Sequence, residues 1–154
     1  MDQHIAAAAR HAVVAREAES PWNELAGERV AIRVSGAETG GACSIVEGIL
    51  GPMSGPPLRI HANEDEVILV TAGVLRFVLA GESFDAPAGT IVVVPQEMPH
   101  TWCNLSETPA RAFAFFTPGG VERMSAQFHG RQVEDLAGIA QRHGTIFTGA
   151  PIAA

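Results

Sequence analysis

Between Arg29 and Phe116 the chain is cut by turn residues about every eight to twelve positions, and this punctuation constrains its fold more than any other feature. Val30, Ile32 and Val34 alternate with Ala31 and Arg33, Ser35-Gly36 and Thr39-Gly40-Gly41 turn the chain, and Ala42 to Leu50 follows as a second apolar run. The Pro- and Gly-rich segment 51–57 is a loop that delivers Leu58 to His61. Glu66 to Thr71 and Val74 to Ala80 meet at Ala72-Gly73, and Gly81 opens a short strand to Asp85. Thr90 to Val94, His100 to Asn104 and Ala110 to Phe116 complete the series. About nine short strands with no helix between them predict an all-β domain, either a closed barrel or two packed sheets.

Outside that region the apolar period returns to 3.6. Residues 2 to 18 read as a helix capped by Asp2, with Ile5, Ala9, Ala12, Val13 and Arg16 on one face before Ser20-Pro21. Its weak, alanine-rich stripe marks an arm packed on the outside, and His4 and His11 read as solvated. After Thr117-Pro118-Gly119-Gly120, the sets Val121, Met124, Phe128 and Val133, Leu136, Ile139, Ala140, His143 form two helical stripes, the second closed by Gly144. The expected organisation is a helical arm over 1–20, a barrel over 21–118 and a helical extension over 119–154 packed on the barrel.

Composition narrows the chemistry. A net charge of -7 with scattered basic residues argues against a nucleic-acid partner, and no apolar run is long enough to span a membrane. Cys43 and Cys103 read as reduced thiols of a cytoplasmic protein. All ten basic residues are Arg and the chain has no Tyr, so Schiff-base lysines and phenolic acids are excluded. Chemistry falls to His, Glu, Asp, Arg, Cys or a bound metal.

Residues two apart on a strand share a face, so Arg59 points with His61, Glu66 with Ile68 and Val70, and His100 with Trp102 and Asn104. If these faces line the interior, two imidazoles and a carboxylate converge. That is the ligand set of non-haem iron sites, and it also suits Mn, Ni, Co or Zn. Parity removes Cys103 from the set. Ile68, Val70, Leu75, Phe77, Trp102, Phe113 and Phe115 are candidates for an apolar lining, with Trp102, Phe77 and Phe113 as substrate contacts.

These two blocks resemble the motifs of the cupins. Arg59-Ile60-His61, Glu66 and Gly73 keep the spacing of the first block with Arg in place of its first His. Gly89, Pro95, Glu97, His100 and Asn104 keep that of the second, with Glu97 in place of a Gly. The flanking turns and closing helix make the chain, from roughly Glu28 to Ile152, similar to small single-domain cupins of the bacterial quercetin dioxygenase type. The resemblance implies a jelly-roll β-barrel, frequently a homodimer, with a divalent transition metal held by three His and one Glu. Carried over by position, His61, Glu66 and His100 match metal ligands, while Arg59 cannot ligate because a guanidinium has no free lone pair.

Arg59 leaves two arrangements open. In one it swings aside, His61, Glu66 and His100 hold Fe, Mn, Ni or Zn, and Arg59 binds an anionic substrate or oxygen species. In the other it pairs with Glu66 and leaves a metal-free pocket. At an effective dielectric of about 20, a cation roughly 4 Å from a divalent metal opposes binding by about 8 kcal/mol before relaxation. The first arrangement implies dioxygenase-like chemistry on a small aromatic or enolic substrate, with catalytic roles for Glu66, His100 and Arg59. The second implies proton transfer by an isomerase, epimerase, cyclase or dehydratase, or a barrel that only binds a small ligand.

Overall fold

The computed structural model describes residues 12–25, 27–128 and 133–152. Among the described residues there are eleven strands: β1 (Asn23–Leu25), β2 (Glu28–Val34), β3 (Ser44–Leu50), β4 (Arg59–His61), β5 (Asp65–Ala72), β6 (Val74–Leu79), β7 (Glu82–Pro87), β8 (Ile91–Val94), β9 (His100–Cys103), β10 (Ala110–Thr117) and β11 (Thr145–Phe147). Two helices, α1 (Glu122–Phe128) and α2 (Val133–Arg142), lie between β10 and β11. The strands form two antiparallel sheets, ordered β1-β2-β3-β10-β5-β8 and β11-β4-β9-β6-β7. This is the all-β double-sheet fold expected from the alternation.

The turns sit where the backbone needs left-handed conformations. Gly81, with φ of 87°, closes the β6–β7 hairpin, whereas Gly73, with φ of 74°, turns the chain from β5 in one sheet to β6 in the other and so corrects the expected β5–β6 hairpin. Glu97, which stands where the motif it resembles has Gly, also has a positive φ, 61°, and its side chain is exposed.

The inward faces of the sheets meet in one core of Leu50, Ile68, Val70, Leu75, Phe77, Ala86, Val92, Val94, Trp102, Ala110 and Ala112. Burying a side chain such as Phe77 contributes roughly 1.5–3 kcal/mol, so this cluster dominates the barrel's cohesion. A second cluster joins Phe128, Ile139 and Ala140 to Leu25, Met124, Leu136 and Phe147, so these helical residues pack with β1 and β11. Among the described residues no helix is long and apolar enough to cross a membrane.

Three further expectations change. Residues 2 to 11 of the expected N-terminal helix, with His4 and His11, lie outside the described residues; 12–16 are irregular, and only a 3-10 turn at Glu17–Glu19 follows. That segment is held instead by charge: Glu17 pairs with Arg111 at 3.0 Å, and Trp22 lies under the guanidinium groups of Arg29, Arg33 and Arg111. The C-terminal extension is not purely helical, because β11 returns to pair with β4 and so completes the smaller sheet. Phe113 is not on the interior. It is directly opposite Leu69 and Glu47, and with them lines a cavity of about 410 Å³ on the outer face of the large sheet. Phe115 lies on that same face, whereas Phe116 is the buried aromatic.

Candidate metal centre

Strand pairing gathers the predicted cluster. Arg59 is directly opposite His100 on β4 and β9, His61 is opposite Thr145 of β11, and Glu66 opens the inward face of β5. Arg59, His61, Glu66 and His100 are 6%, 3%, 1% and 0% exposed, so the charged groups interact with little solvent between them.

One oxygen is the focus. Glu66 Oε2 lies 2.8 Å from His100 Nε2, 3.2 Å from His61 Nε2 and 3.8 Å from Arg59 Nη2. The other ring nitrogens are committed. His100 Nδ1 is 2.8 Å from the Met98 carbonyl, which only accepts, so Nδ1 carries a proton and donates it. His61 Nδ1 is 2.9 Å from the Thr145 hydroxyl. With Nδ1 protonated, His100 Nε2 either carries a second proton, making an imidazolium that donates to Glu66, or turns a lone pair toward an anionic oxygen. The latter contact requires a cation between the two.

Burial alone would raise the Glu66 carboxyl, but the His100 and His61 imidazoles and the Arg59 charge outweigh it and hold Glu66 far below the usual carboxylate range. Burial lowers His61, against the pull of Glu66 and with help from the Arg59 and His100 charges, which favours the neutral imidazole that a metal ion needs. Burial also lowers Arg59, opposed by Glu66 and by Glu28.

The donor set fits a metal ion. One ligand atom from each of His61, Glu66 and His100 lies within 4.8 Å of the others. His61 Nε2 and Glu66 Oε1 are buried without a hydrogen-bond partner, and such orphaned atoms are costly unless something binds them. Nδ1 contacts from both rings to oxygen groups are the usual way metal-bound histidines are oriented. Arg59 is the discordant element. Its guanidinium stacks 4.3 Å from the Trp102 ring centroid, and among the described residues its one hydrogen bond is from Nη1 to the Pro57 carbonyl at 3.4 Å.

Of the proposed substrate contacts, Trp102 and Phe77 are on the interior, 5.6 Å apart by centroid, but both are packed into the barrel core. Phe77 stacks on Phe84 at 5.5 Å. Phe113 is excluded by its outward face. Asn104, matched in the second motif block, serves structure: its Nδ2 donates to the Leu50 and Thr108 carbonyls, and its Oδ1 accepts from Ser106.

Several contributors were not anticipated. Thr145 and the Met98 carbonyl orient the two imidazoles, and neither announces itself in a side-chain pattern. Phe116 packs edge-on against His61, 5.5 Å away. Glu64 is buried, and desolvation raises its carboxyl to about 6. Glu28 is the most informative omission. It pairs with Leu50, which faces the core, so the alternation of Glu28 with Val30 and Ile32 already indicated an inward carboxylate.

Two antiparallel sheets closing over a buried two-histidine, one-carboxylate cluster define a double-sheet barrel protein whose interior can hold a metal. Residues 48–116 match the family model described as a cupin domain, and the solved structures most similar to the chain share that fold. KdgF from a Halomonas species superposes with a TM-score of 0.65 at 19% identity, covering 71% of this chain and 96% of that one. A predicted oxalate decarboxylase from Thermotoga maritima gives 0.64 at 20% identity, covering 69% and 99%. The polyketide cyclase RemF from Streptomyces resistomycificus gives 0.61 at 13% identity, covering 70% and 80%. At these identities the likeness shows the fold alone. No curated protein matches the sequence.

Proposed function

We propose that this protein is a metal-dependent cupin enzyme acting on a small aromatic or enolic molecule, with dioxygenase-like chemistry. The observation that carries this reading is the convergence of two imidazole Nε2 atoms on one buried carboxylate oxygen, with His61 Nε2 and Glu66 Oε1 left without partners. His61, Glu66 and His100 are the ligands. A bound redox metal of this ligand class supplies a Lewis acid that orients substrate and a centre that can engage dioxygen.

The remaining roles belong to this chain's own groups. Arg59, held over Trp102, offers a cation to an enolate or carboxylate oxygen of the substrate. The Trp102 and Phe77 wall excludes water and so strengthens that contact. The Thr145 and Met98 contacts fix the ring orientations. Structural neighbours that include a polyketide cyclase and a predicted oxalate decarboxylase support small-molecule chemistry in such a barrel.

A second reading rests on the 3.8 Å separation of Arg59 Nη2 from Glu66 Oε2. If Arg59 supplies the only cation, Glu66 and His100 form an acid-base pair for an isomerase, epimerase, cyclase or dehydratase reaction. Elemental analysis of protein from metal-supplemented cells separates the two. Near-stoichiometric Fe, Mn, Ni or Zn is expected, and His100→Ala should reduce it to background. A metal content near zero overturns the metal-dependent reading. Oxygen consumption with a flavonol is the expected activity, and metal-loaded protein that consumes none across a panel of flavonols and enols overturns the dioxygenase assignment.

A further inference from the structure

The outer face of the large sheet carries a second polar cluster, on the opposite side of that sheet from the barrel interior. Glu47 is fully buried there, and its carboxylate accepts from two guanidinium groups, Oε2 from Arg33 and Oε1 from Arg111. Two cations on one carboxylate leave a surplus positive charge. Among the described residues Glu17 offsets it, with Oε1 3.0 Å from Arg111 Nη2 and 3.9 Å from Arg33 Nη2. Glu17 stands on a three-residue 3-10 turn with its side chain 62% exposed, and ion pairs this open to water are weak. Arg33 is only 7% exposed, and its Nη1 is buried with no hydrogen-bond partner among the described residues. A buried donor left unpaired is costly, so the cluster lacks one acceptor. Beside these charges the face is apolar: Ile45, Leu69, Phe113 and Phe115 line the same cavity of about 410 Å³, with the two phenyl rings 6.4 Å apart.

We propose that this cavity binds a small monocarboxylate with an apolar body, whose carboxylate takes the place of that of Glu17. One carboxylate oxygen lies between Arg111 and Arg33, where Glu17 Oε1 now sits, and the other supplies the acceptor that Arg33 Nη1 lacks. The body lies on Leu69, Phe113 and Phe115. A single negative charge matches the single surplus cation, and a bare phosphate gains nothing from the phenyl rings. Glu17 is then a built-in competitor that the ligand displaces into solvent. The site shares no residue with His61, Glu66 and His100, so it goes beyond the metal-dependent reading and does not rest on it.

The test is calorimetric titration of the full-length, EDTA-treated protein with 4-phenylbutyrate at pH 7, with 4-phenylbutanamide as the uncharged control. One-site binding with a Kd below about 1 mM is expected, and binding of the amide about tenfold weaker or less. Glu17→Gln removes the competing charge and should tighten binding about threefold, which a merely structural role of Glu17 does not produce. Arg111→Gln should weaken it about tenfold, whereas Arg59→Gln, inside the barrel, should leave it within about twofold. Circular dichroism confirms folding; should Arg111→Gln fail to fold, Glu17→Gln and Arg59→Gln decide. No binding by wild type or Glu17→Gln at about 10 mM ligand overturns the inference, as does unchanged affinity in Glu17→Gln. Loss of binding in Arg59→Gln places the carboxylate inside the barrel and overturns it too. A dimer in sedimentation that binds no 4-phenylbutyrate, and that Phe113→Asp converts to monomer, assigns this face to a second copy of the chain and is equally fatal.

Discussion

Glu28 offers a test that needs no metal. Its carboxyl titrates near 7 in the folded barrel against an ordinary 4.5, because burial penalises the charge more than Arg59 stabilises it. Between those values the folded state binds more protons than the unfolded chain, so the stability tied to Glu28 is greatest below 4.5 and is lost as pH rises through 7. At about 1.4 kcal/mol per pH unit, the gap corresponds to about 3.4 kcal/mol. Glu28 is half-buried, and solvent screening brings this to roughly 2 kcal/mol. Glu28→Gln removes the ionisation and leaves the shape. In urea titrations of EDTA-treated protein, the variant should therefore gain about 2 kcal/mol on wild type at pH 8 relative to the difference at pH 4, or about 4–8 °C in Tm for a chain of this size. Comparing the two pH values cancels whatever the substitution does to packing, and also cancels the titration of other carboxylates. An equal difference at both pH values, or a larger gain at pH 4, would refute the inward placement of Glu28.

Two further outcomes follow from packing and capping. Phe77→Ala removes the largest fully buried side chain of the core and its stack on Phe84; it should cost about 3–5 kcal/mol by urea denaturation. Glu122 is buried at the start of α1, where its Oε1 accepts from Gly36 N–H and its Oε2 from Gly120 N–H, both at 2.7 Å. Glu122→Ala strands these donors and should cost roughly 2–4 kcal/mol, with the loss measured at pH 7 and shrinking in acid. Burial alone would raise this carboxyl, but the hydrogen bonds from the Gly36 and Gly120 N–H groups help to lower it, so its contribution is present above the ordinary carboxylate range and is lost as pH falls.

The amino-acid sequence by itself determined the strand series, both motif blocks and the face on which His61, Glu66 and His100 converge, because a side-chain period of two is a local property that each strand carries alone. It also signalled the irregular member of the first block, since Arg59 occupies a ligand position whatever surrounds it. Other features depended on which strands became neighbours. Phe113 and Phe115 were candidates for the lining, yet Ala110 and Ala112 are the β10 residues that face the core, because the pairing of β10 with β3 and β5 sets which of its two alternating faces turns inward. Strand β11 is three residues long and makes sense only beside β4, where it brings Thr145 to His61. The Met98 carbonyl leaves no side-chain trace, yet it accepts from His100 Nδ1 and fixes that ring. Local alternation says which way a side chain points; the closure of two sheets decides what it finds there.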